Sequence, residues 1–122
     1  MKRLLYVSCF ALAACAPPQT AGTDWRAVQI ADAEAQMRIQ VVDRDARFFD
    51  VQMTGDQHTG QTCGKVKSKN GKLARFIVYI DKSAGPFVED HQGKQYISPH
   101  DFDFQWKYDC LKEGYDPTKH SG

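Results

Sequence analysis

The sequence predicts an α+β fold: a small antiparallel β-meander packed against an N-terminal and a C-terminal helix, with one disulfide. Two segments carry apolar residues at helical spacing behind capping residues. Between them lie alternating segments separated by turn residues. Two cysteines, Cys63 and Cys110, sit at the start of a predicted strand and on the second predicted helix. Helix, antiparallel strands, helix is the order of a layered α+β domain. At 122 residues the chain has room for one such domain, read here as residues 24–116.

The first helix is predicted over Asp24 to Val42. Asp24 suits the N-cap, and Trp25, Val28, Ala31 or Ala35, and Ile39 recur at near-helical spacing. Asp43 to Arg47 is polar and ends it in a turn or short second helix. Phe49, Val51 and Met53 then alternate with Asp50 and Gln52, as in a half-buried strand. Thr54 to Gly60 reads as a turn. Thr62 to Lys69 alternates again, with Val66 inward and Lys65, Lys67 and Lys69 together on the other face. Asn70-Gly71 is a two-residue hairpin signal.

Leu73 to Ile80 is apolar on both faces, Phe76, Val78 and Ile80 against Ile77 and Tyr79. A central strand covered on both sides is expected. Ser83 to Pro86 is a turn. Phe87-Val88 and Tyr96-Ile97 flank Asp90 to Gly93 as a last hairpin. Ser98-Pro99 opens the second helix, because Ser caps well and Pro fits the first helical position. Phe102, Trp106 and Cys110 share one face of it, Gly114 stops it, and residues 117–122 read as a disordered tail.

The charge balance, 16 basic against 15 acidic residues, lacks the basic excess of a nucleic-acid binder. A 42% hydrophobic fraction is enough for a small core. The first fourteen residues have the layout of an export signal. Lys2 and Arg3 are followed by an apolar run from Leu4 to Ala14, about half of the ~20 residues that span a bilayer. Removing Met1 to Ala14 takes Lys2 and Arg3 from the 16 basic residues and leaves 14 against 15 acidic ones, a formal charge of −1.

Leu12-Ala13-Ala14-Cys15 resembles the lipobox of bacterial lipoproteins. The resemblance implies cleavage before Cys15 and a diacylglyceryl group on its thiol, the one side chain there nucleophilic enough for the step. Two or three acyl chains give stable anchoring. The competing reading is an ordinary cut after Ala16, using Ala14-Cys15-Ala16. In some bacteria an Asp after the lipidated cysteine retains the protein in the inner membrane. Ala16 stands there instead, which implies an outer-membrane, periplasm-facing location. Residues 15–23, with Pro17, Pro18 and Gly22, read as the lipidated cysteine and a flexible tether.

Cys9 is lost with the signal and Cys15 takes lipid, leaving Cys63 and Cys110 in an oxidising compartment. Two such thiols usually pair. The alternative, a metal or redox pair, lacks a C-x-x-C or a flanking His. From Asp43 to Cys110 the pattern also resembles a widespread group of small exported bacterial domains without an assigned activity. Ala46, Phe48, Val51, Cys63, Gly64, Val66, Asn70, Phe76, Trp106 and Cys110 match it, with a shorter hairpin at Asn70-Gly71. That resemblance supports the fold and the cysteine pair and implies no substrate.

No motif implies a reaction. His58, His91, His100 and His120 show no metal-ligand spacing, His100-Asp101-x-Asp103 reads as a helix cap, and no G-x-S-x-G supports a nucleophile. No catalytic residue, metal ligand or cofactor is therefore expected. The candidate partner face comprises Lys65, Lys67 and Lys69, weighed against a solvated strand face, with Phe104 and Tyr108 as part-exposed aromatics; Tyr115 is placed with these. The expected function is a non-catalytic, membrane-anchored module that binds another envelope protein. The alternative is a small cell-envelope enzyme acting on cell-wall or lipid material.

Overall fold

A computed structural model of the chain describes residues 24–120. The expected leader, Cys15 and the tether lie outside the described residues, as do residues 121–122. Asp24 caps helix α1 (Trp25–Gln40), its carboxylate accepting from the Arg26 N–H at 3.0 Å. Four antiparallel strands follow, β1 (Arg47–Thr54), β2 (Gln61–Lys67), β3 (Ala74–Tyr79) and β4 (Phe87–Val88), paired in chain order. Ser98 then caps α2 (Pro99–Gln105), which continues as a π-helical segment, Trp106–Leu111.

The meander is covered on both faces. From β3, Phe76 and Val78 join Ala33 and Met37 of α1 in one core layer. Ile77 and Tyr79 point the other way, toward Phe102, Trp106 and Cys110. The two-faced apolar pattern of this strand follows from its central place. Cys63 and Cys110, both fully buried, are bonded across the second layer with their Cα atoms 6.0 Å apart. The loop they close, 47 residues in sequence, corresponds to about 4 kcal/mol of chain entropy removed from the unfolded state.

The π turn keeps that bond in line. In a 3.6-residue helix, steps of four drift by about 40° each. The wider turn, with Lys112 N–H donating to Lys107 O (3.0 Å), keeps Trp106 and Cys110 on the sheet side with Phe102. Past it Gly114, at φ 116°, ends the helix, and Tyr115 N–H donates back to Cys110 O (2.9 Å), which returns Tyr115 to the same cluster.

Several local expectations are corrected. On α1 the stripe of Val28, Ala31, Ala35 and Ile39 is exposed, and the buried residues are Ala33 and Met37 on the opposite side. The simple alternation on β1 fails at a bulge. Three steps from Phe49 to Gln52 face two on β2, from Lys65 to Cys63. Asp50 takes a positive φ of 54° there and is buried, while Phe48 and Val51 pack on the α1 layer.

The Asn70-Gly71 connection is a six-residue loop between Lys67 and Ala74 rather than a two-residue turn. Neither residue has the positive φ that the tight turn requires. Instead Lys67 Nζ donates to the carbonyls of Ser68 (3.2 Å) and Gly71 (2.8 Å). Tyr96-Ile97 is not a strand. Asp90 and His91, both at φ 59°, turn the chain away from β4. Lys94 and Gln95 then donate their N–H groups to the carbonyl and side chain of Gln40, at the open C-terminal end of α1.

Tyr115, expected among the exposed aromatics, is buried, and its hydroxyl donates to Asp50 O at 2.9 Å. Asp116 exchanges two hydrogen bonds with Gln52, each 2.8 Å. Of the expected tail, His120 reaches the Asp50 carboxylate at 3.4 Å.

Candidate functional site

The inward residues of the C-terminal helix dictate what it shows to solvent. With Phe102 and Trp106 buried, Phe104 and Tyr108 are forced outward. Their rings lie 4.6 Å apart between centroids, tilted by 41°, the contact of an i, i+4 pair. Phe104 is 53% exposed, Tyr108 41% and Leu111 41%. Phe104 and Tyr108 form an aromatic stripe of about one turn on the outer face, and Leu111 is exposed at the end of the π segment. Leu111 was missed in the sequence, where nothing marked it as exposed.

Charge is sorted across this helix. Asp103 turns to the sheet and accepts from Arg75 at 2.7 Å. Arg75 also binds Glu89 through two nitrogens, at 2.8 and 3.0 Å, and lies over the rings of Phe102 and Trp106. Asp109 accepts from the Tyr79 hydroxyl at 2.5 Å. Burial first, and the hydrogen bond to Asp109 second, push the Tyr79 hydroxyl well above its ordinary value, so it stays a donor. Lys107 and Lys112 remain on the outer side, their ammonium groups 5.7 and 4.7 Å from the centre of the Tyr108 ring. The outward stripe is thus aromatic at its centre and basic beside it.

The three sequence-predicted lysines are not gathered into one free patch. Lys65 pairs with Asp50 at 3.2 Å beside His120. Lys67 is held by the loop carbonyls. Lys69 is exposed, and its N–H donates to Asp43 at 2.8 Å. Lys67 and Lys69 line an open depression of about 210 Å³ together with Asp43, Asp45, Arg47 and Ser68, where both signs of charge meet.

A second recess, about 360 Å³, lies between α1 and β1 and is lined by Glu34, Arg38, Ala46, Arg47, Phe48 and Phe49. Arg38 stacks on Phe48 and pairs with Glu34, so its polar groups are occupied within the chain. Among the described residues, no three His, Cys, Asp or Glu side chains converge as a metal site, and no helix is long and apolar enough to cross a membrane. Compared with known protein families, curated proteins and solved structures, the chain matches none.

Proposed function

We propose that this chain is an envelope lipoprotein, cut before Cys15 and held by lipid on that cysteine. In this proposal its folded domain is a non-catalytic module that binds another envelope protein through Phe104, Tyr108 and Leu111. The observation that carries the binding role is the exposed aromatic pair with Lys107 and Lys112 beside it. Exposed aromatics flanked by polar groups are the usual anchors of a protein interface. The basic flanks favour a partner with an acidic rim. The L-A-A-C sequence supports the anchor, and Ala16 supports an outer-membrane location facing the periplasm.

Affinity capture tests the binding role. The full chain, purified in detergent and immobilised, is exposed to solubilised envelope, and retained proteins are identified by mass spectrometry. The expected result is a partner lost on Phe104→Ala/Tyr108→Ala and kept on Lys69→Glu. A partner insensitive to the aromatic pair would reject this face. For the anchor, Cys15→Ala is expected to abolish acyl labelling, and persistent labelling would reject the lipobox.

A further inference from the structure

We propose that the outward face of α1 docks on the surface of the bilayer that holds the Cys15 lipid; this rests on the anchor proposed above. Val28, Ala31, Ala35 and Ile39 lie at steps of three and four, one narrow stripe directly opposite the buried Ala33 and Met37, and Val42, just past the helix end at φ 54°, adds an exposed apolar side chain. Val28 is 49% exposed, Ile39 64% and Val42 76%. The helix therefore has two apolar faces, of which the sheet covers one.

The place of the anchor names the occupant. Eight residues, 16–23, separate Cys15 from the Asp24 cap of α1. At full extension they reach no further than about 28 Å. Tethering on that scale makes docking intramolecular, with an effective concentration on the order of millimolar, so a modest apolar stripe suffices. A second copy of the chain is disfavoured by area. A 16-residue helix offers a strip roughly 24 Å long and 10 Å wide, well under the ~800 Å² per partner of a stable interface.

The surroundings of the stripe fit lipid. The charges beside it are paired within the chain, Arg38 with Glu34 at 3.8 Å and Lys82 with Asp32 at 3.7 Å. No uncompensated charge from these pairs has to approach the acyl region. At the end nearest the anchor, the Arg26 guanidinium lies 4.5 Å from the centre of the Trp25 ring, and Trp and Arg suit the headgroup level. Because α1 and the C-terminal helix cover opposite faces of the sheet, docking through α1 turns Phe104, Tyr108 and Leu111 away from the membrane, toward a partner.

The full lipidated chain is reconstituted into phosphatidylethanolamine–phosphatidylglycerol vesicles carrying a phospholipid with a photoactivatable acyl chain. Adducts are mapped by mass spectrometry. They are expected on residues 28–42 and not on residues 104–111, with loss of the α1 adducts in Ile39→Asp/Val42→Asp. An acylated Cys15 with an adduct-free α1, equal labelling of both helices, or α1–α1 cross-links between copies would overturn the docking alone. Absence of acyl mass on Cys15 would remove the anchor and the docking together.

Discussion

Gly64 lies directly beneath the bulged Val51. A Cβ added at Gly64 would stand 2.9 Å from Val51 Cγ2 and 3.0 Å from its Cα, with Phe76 Cε2 at 3.2 Å. Backbone and a fully buried ring leave little room to give way. Gly64→Ala is therefore expected to destabilise the domain by about 1–3 kcal/mol, the ordinary cost of overpacking. A denaturant titration with an unchanged midpoint would contradict that packing.

Cys63 and Cys110 are expected to resist alkylation in the purified chain without reductant. The double variant Cys63→Ala/Cys110→Ala should lose about 2–4 kcal/mol, most of it through the larger entropy of the unfolded chain. Free-thiol labelling at both positions would sink the bond seen here.

Phe102 and Phe104, two residues apart, should behave oppositely. Phe102 is fully buried, and its truncation to Ala is expected to cost about 3–5 kcal/mol. Phe104→Ala should change stability by no more than about 0.5 kcal/mol while abolishing partner capture. Equal destabilisation by the two variants in thermal melts would mean that Phe104 belongs to the core.

Stability should fall at both ends of the pH scale. N–H groups of Lys69 and then Asp45 hold the Asp43 carboxyl below its ordinary 3.8. Thr59 and His58 do the same for Asp56, Ser83 for Asp81, and the Thr118 hydroxyl and N–H for Asp116. A depressed folded pKa contributes stability that is present above 3.8 and lost as pH drops through the folded value, so melting temperature should decline below about pH 4. Burial raises the Tyr79 and Tyr115 hydroxyls, with Asp109 and Asp50 adding to it. Their contribution is present below the ordinary 10.0 and declines above it, as the unfolded chain ionises first. Tyr79→Phe should flatten the alkaline limb of the melting curve. An unchanged limb would remove Tyr79 as its source.

What the sequence determined by itself was whatever neighbours in the chain decide. Asp24 and Ser98-Pro99 set the helix starts, because a cap is a contact over two or three residues. The two-faced run of β3 marked the centre of the sheet, and Cys63 and Cys110, the pair expected to remain in the folded part, are the pair that is bonded. Phe104 and Tyr108 were legible once Phe102 and Trp106 were placed inward on the same helix. The tertiary structure decided the rest. α1 has two apolar stripes, and periodicity cannot tell which one the sheet will cover; the fit of Met37 and Ala33 against Phe76 and Val66 does. At the bulge Asp50 meets Lys65 across the strand pair and Tyr115 from the end of the chain, and after Val88 Gln40 supplies the acceptors for Lys94 and Gln95 where a strand was expected. The lysine stripe dissolved for the same reason: alternation fixes a face, but the partners Asp50, Ser68 and Gly71 are chosen by packing, where a buried polar group takes whichever complement the fold brings within reach.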